Sequence, residues 1–138
     1  MELLERITFP SKAENINLAE QMIDSLCEKH GVHEDHYGNI LIAITEAVNN
    51  AIHHGNKLDP EKSVTLGYSV DGSKLSVSIV DEGPGFDFEN IPDPTEPENI
   101  EKPHGRGVFL MRALADEVAF DDNGAEVEMT FDLSKKPE

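Results

Sequence analysis

"ITEAVNNAIHHGN", Ile44 to Asn56, is the stretch on which the reading of the chain turns. At roughly 100° per residue, Ile40, Ile44, Val48 and Ala51 fall on one arc. That predicts a helix from about Asp35 to His54 with the arc on a core and Gly55 as its stop. Glu46 and Asn50 lie one turn apart on the shoulder of the arc, about 40° from each other. Ala43 and Ala47 stand between them and the core side. Such small neighbours leave room for a ligand. Asn50 offers a neutral oxygen suited to a hard cation such as Mg2+, and Glu46 a carboxylate able to take a proton from an attacking hydroxyl or water. Alone, Glu-x-x-x-Asn is more often a solvated helix edge, so the rest of the chain decides its meaning.

Upstream, "ERITF" (5–9) alternates and predicts a first strand. Ser11 and Glu14 have the spacing of a capping box, which predicts a helix opening at Ser11. Ile16, Ala19, Ile23 and Leu26 continue it at helical spacing to Gly31. Downstream, "SVTLGYSV" sets Val64, Leu66, Tyr68 and Val70 on one strand face. "KLSVSIVD" does the same for Leu75, Val77 and Ile79, with Asp81 on that side at the strand end. Asp71-Gly72 between them signals a hairpin. Residues 86–104 hold Pro92, Pro94, Pro97 and Pro103 among many acids, a loop too long to be a plain connector. A third helix is expected from Gly107, then "EVAFD" and "EVEMTFDL" as closing strands. This order predicts an α+β fold: a two-layer α/β sandwich with one mostly antiparallel sheet and helices on one face.

The chain has 138 residues, of which 38% are hydrophobic, enough for one core and a single domain over 1–138. No apolar run approaches the roughly 20 residues of a bilayer span, and Met1-Glu2-Leu3-Leu4-Glu5 lacks the basic start of a signal peptide. A lone Cys27 among Met22, Ile23 and Leu26 excludes an internal disulfide and reads as a buried helix position. A soluble, cytoplasmic protein is the expectation. Eleven Lys and Arg against 28 Asp and Glu give −17, which repels nucleic acid and anionic membrane, so neither is an expected partner. An anionic ligand would need local groups, and Lys102, His104 and Arg106 are the one close set.

Two more stretches carry chemistry. In "DEGPGFD" (81–87), an Asp ends an apolar strand, where a buried carboxylate would accept from an amino group such as that of adenine. Gly83 and Gly85 would let backbone come close to a flat ring, although a Gly-Pro-Gly turn needs no ligand. In "HGRGVFLM" (104–111), the amides of Gly105, Arg106, Gly107 and Val108 open a helix, whose dipole favours an anion there.

Taken together and in this order, "EAVNNAIHHGN", "DEGPGF" and "GRGVFLM" resemble the N box and the two glycine boxes of the GHKL ATPase/kinase superfamily. The likeness spans nearly the whole chain and is strongest to the stand-alone serine kinases that act as bacterial anti-sigma factors. The resemblance implies the Bergerat α/β sandwich, with Glu46 as catalytic base and Asn50 as Mg2+ ligand. It makes Asp81 the adenine-binding residue, and Gly83, Gly85, Gly105, Arg106, Gly107 and Val108 further ATP contacts under a lid at about 86–104. By the same likeness the cofactors are ATP and Mg2+. The substrate is an anti-anti-sigma (STAS-domain) protein, a sigma factor is sequestered, and a homodimer is expected by analogy. The chain departs from the family in its last hairpin, where Gly124 is followed by Ala125 and Glu126 rather than Thr. That puts one adenine contact in doubt, and Thr130, on the polar face, is no substitute.

Three functions compete. One is an ATP-dependent serine/threonine kinase. The second is a regulator that holds a sigma factor and uses nucleotide only as a switch. The third, the ATP-binding half of a two-component histidine kinase, ranks lower, because the chain has no room for long dimerising helices. His30, His33 and His36 recur every three residues but straddle Gly31 at a helix boundary and read poorly as metal ligands. His54 suits a helix C-terminus as well as a ligand role, and Phe86, Phe88 and Phe109 read as lid and core packing.

Overall fold

Period-two alternation in the strand segments builds one sheet. In the computed structural model, which describes residues 3–84, 105–121 and 124–135, the strands are β1 (Glu5–Pro10), β2 (Ser63–Asp71), β3 (Lys74–Val80), β4 (Glu117–Asp121) and β5 (Glu126–Asp132). Their spatial order is β1-β2-β3-β5-β4, and every pairing is antiparallel. The register places Phe9 opposite Val64, Leu66 opposite Ile79, and Val77 opposite Met129, so one face becomes a continuous apolar surface. Thr8, Thr65, Ser69, Glu128 and Thr130 take the other face. Asp71 pairs with Lys74 across a tight turn at Gly72-Ser73, as the Asp-Gly signal predicts.

Three helices supply the second layer: α1 (Ile16–Lys29), α2 (Glu34–Asn50) and α3 (Gly105–Leu114). Ala19, Ile23 and Leu26 of α1, Ile40, Ile44 and Val48 of α2, and Val108 and Met111 of α3 join the apolar sheet face in one buried cluster. The arc read from α2 is fully buried at Ile40, Ile44 and Val48, each such side chain contributing about 1.5–3 kcal/mol. Cys27 is buried as expected. The expected two-layer sandwich is present. Among the described residues, no helix is long and apolar enough to cross a membrane.

Several local expectations are corrected. Ser11 does not open a helix with Glu14. A 3-10 turn at Ala13–Asn15 comes first, and neither it nor α1 has a side-chain cap. The fully buried Ser11 hydroxyl instead accepts from Asn56 Nδ2 at 2.6 Å, since a buried donor needs a partner more than an exposed helix end does. α2 begins at Glu34, capped by His33, whose Nδ1 accepts from the Asp35 N–H at 3.1 Å. Its regular turns end at Asn50 and widen into a π-helical turn, Ala51–Gly55, rather than continuing unchanged to His54. α3 starts two residues before Gly107. Phe109 is 45% exposed and not core, because Val108 and Met111 take the inward side of α3.

Two of the three histidines spaced by three have structural tasks. His33 is a cap, and His30 packs edge-on against Tyr68 with ring centroids 5.6 Å apart. The described residues hold no group of three or more His, Cys, Asp or Glu able to bind a metal ion. Gly85, the segment 86–104 with Phe86, Phe88, Lys102 and His104, and the Arg106 side chain lie outside the described residues.

Candidate functional site

A cleft opens between the end of α2 and the sheet. Its helical wall is Ala47, Asn50, Ala51 and Gly55 from α2 and its π-helical turn, with Met111 of α3. Its floor is Ile79 and Asp81 at the end of β3, and Phe120, Gly124, Ala125 and Val127 from the last hairpin. The empty space between these walls, open solvent at the mouth included, is about 390 Å³.

The segments meet at backbone distance, and glycine permits it. A Cβ on Gly83 would lie 2.0 Å from the Gly55 carbonyl oxygen, and one on Gly55 would lie 2.4 Å from Asp81 Oδ2. A Cβ on Gly107 would sit 2.6 Å from Asn50 Nδ2. The "HHG" and "DEG" runs are therefore pressed together, and "GRG" is pressed against Asn50 of α2, although all are far apart in the chain.

Asp81 is fixed at both ends. Its backbone N–H donates to the Ala125 carbonyl at 2.9 Å, and its Oδ1 accepts from the Gly83 N–H at 2.8 Å. Burial pushes its carboxyl above the ordinary value, opposed by the Gly83 N–H and by the positive charge of Lys62. Asn50 lines the same cleft, and its Nδ2 is buried with no hydrogen-bond partner among the described residues. A buried unpaired donor costs about 1–3 kcal/mol, a cost that a bound acceptor such as a phosphate or carbonyl oxygen would relieve. His54, on the same turn as Gly55, is held below its ordinary value by burial and then by His53.

Of the expected site residues, Asn50 and Asp81 line one cleft, and Gly83 and Gly107 pack against its walls. Glu46 is half-buried one turn before Asn50 and is not among the lining residues. Gly105, Arg106 and Gly107 form the first turn of α3, and the Val108 side chain is in the core, leaving only its backbone for a ligand. Sequence reasoning missed Gly55, treated only as a helix stop, and Asn56, which is 1% exposed and bonded to three other segments. A polar residue directly after the Gly of "HHGN" was the one available signal.

An antiparallel sheet under three helices, with an acid–amide helix, an Asp-ended strand and a glycine-opened helix around one cleft, defines a class of nucleotide-binding ATPase domains. The chain belongs to the histidine kinase-like ATPase domain family, whose pattern it matches over residues 9–131. It is 30% identical to a serine-protein kinase RsbW of Bacillus cereus, covering 94% of this chain and 86% of that one. It is 29% identical to the serine-protein kinase RsbW of Bacillus licheniformis, covering 92% and 84%. Among solved structures, it is similar to that of the RsbU and RsbW domains of Rv1364c from Mycobacterium tuberculosis, with a TM-score of 0.64 and 17% identity. That match covers 92% of this chain but only 31% of the longer one, and it bears on the fold alone.

Proposed function

We propose that this chain is an ATP-dependent serine/threonine-protein kinase acting as a cytoplasmic anti-sigma factor, with an anti-anti-sigma protein of the STAS type as its substrate. The observation that carries the reading is a half-buried carboxylate and an orphaned buried amide, Asp81 and Asn50, opening into one cleft. The serine-protein kinases among its relatives support it.

In this reading Asp81 accepts from the adenine amino group, and the α3 amides from Gly105 to Val108 receive phosphate oxygens at the helix N-terminus. Gly83 and Gly85 keep side chains out of the base's way, Arg106 adds positive charge, and residues 86–104 form the lid. Glu46 orients or deprotonates the incoming hydroxyl. Magnesium fits this site only in company. With no acidic cluster among the described residues, the ion would be held by the Asn50 amide oxygen together with phosphate oxygens, the shared coordination Mg2+ favours. When bound, it would offset charge on the transferring phosphoryl group. Sigma-factor sequestration and a homodimer belong to the same proposal, as does one ATPase domain over 1–138.

One observation favours a second reading, in which nucleotide acts as a switch with little phosphotransfer: Glu46 stands outside the cleft wall. Labelled ATP, Mg2+ and a STAS partner separate the two. Transfer to a partner Ser or Thr by the wild type, abolished by Glu46→Ala, is the expected result. Tight ATP binding without transfer to any partner would establish the switch instead.

A further inference from the structure

Asn56 is almost completely buried, yet it is not among the residues that line the cleft. It ties four segments together. Its N–H donates to the Ala51 carbonyl at 2.8 Å, closing the π-helical turn. Its Nδ2 donates to Ser11 Oγ at 2.6 Å and to the Ser63 carbonyl at 2.9 Å. Its Oδ1 accepts from the Glu82 N–H at 2.7 Å. Each hydrogen-bonding atom of the side chain is thus used, and the last bond grips the peptide that follows Asp81. Glu82 closes the arrangement by accepting from the Ser63 N–H at 2.5 Å.

The backbone next to Asn56 is strained. Lys57 and Leu58 take φ of 54° and 59°, left-handed values that non-glycine residues avoid unless surrounding contacts hold them. Just before it, the Gly55 Cα lies against the Asp81 carboxylate with no room for a Cβ. Asn56 therefore fixes both what presses on Asp81 from the helix side and the strand end that carries it.

We propose that Asn56 is a positioning residue for base recognition, holding the 81–83 turn so that the Asp81 carboxylate is presented to the amino group of a purine. This rests on the reading of the cleft as an ATP site. Asn56 touches no ligand in this account and acts only through Asp81. The loss on removing it should fall on nucleotides that use the carboxylate and spare those that cannot.

The test compares ATP with inosine triphosphate, which carries an oxygen in place of the 6-amino group, by calorimetric titration of the full chain. Asn56→Ala is expected to weaken ATP binding about five- to tenfold while leaving inosine triphosphate almost unchanged. The ATP preference then falls towards that of Asp81→Asn, and the double variant loses nothing more. Equal weakening of both nucleotides, or a preference kept at the wild-type value, would overturn the proposal. If Asn56→Ala does not fold, Ser11→Ala removes one acceptor of Nδ2 without touching the cleft. A two- to threefold drop in preference there supports the proposal, and an unchanged preference overturns it. A wild type with no ATP preference would instead overturn the adenine reading of Asp81 on which the proposal rests.

Discussion

At Asp81, folding works against the charge that the proposed base-reading role would need. Burial raises its pKa above the ordinary 3.8, and the Gly83 N–H and Lys62 only partly oppose this. A carboxyl with a raised folded-state value contributes stability below pH 3.8 that is lost as pH rises through the folded value, so at neutral pH the ionised group is a net cost. Asp81→Asn removes the charge and keeps an oxygen for the Gly83 N–H. Without nucleotide at pH 7 it should unfold at the same or higher urea concentration than the wild type. With ATP at 100-fold saturation, the wild type should gain about 2.7 kcal/mol, and the variant should lose most of that gain. A variant weakened without nucleotide but fully stabilised by ATP would contradict both halves. Residues differed in how readily their places could be read from the sequence. Asn50 was legible because helical periodicity alone put it beside Ala47 and off the core arc. Asn56 was not, because the partners of its side chain lie 45 and 26 residues away.

Among the elements, α2 and α3 meet where Gly107 faces Asn50. In a helix Ala is favoured over Gly by about 1 kcal/mol, but a Cβ here would displace the Asn50 amide. Gly107→Ala should therefore leave the thermal midpoint without nucleotide near or above that of the wild type and weaken ATP binding by about tenfold or more, as read by calorimetry. Wild-type affinity in that variant would detach Asn50 from the ligand. The regular parts of the elements were legible for the same reason that they are stable: long apolar periodicities in α2, β2 and β3 have only one face to bury. Their ends were not. The Ser11–Glu14 spacing satisfied a local rule, but the Ser11 hydroxyl was taken by a buried partner from another segment. Likewise the π-helical turn after Asn50 is set by where Asn56 is anchored, which no local pattern encodes.

Over the whole molecule, a net charge of −17 opposes any anionic ligand. In the proposed function a triphosphate would be held by short-range groups, the N-terminal amides of α3 and the buried Asn50 amide, working against that field. The sandwich could be read from the order of the elements, and the alternation said which sheet face would be covered. The press of Gly55, Asp81 and Gly83 is a product of tertiary packing and became visible only in the folded chain. A titration of the labelled protein with ADP and Mg2+, followed residue by residue through backbone amide resonances, tests the convergence directly. The largest shifts are expected at Asn50–Asn56, Asp81–Gly83, Gly105–Met111 and Gly124–Val127, with the far sheet face around Thr8, Ser69 and Thr130 unmoved. Saturable shifts confined to that far face, or none at any concentration, would contradict it.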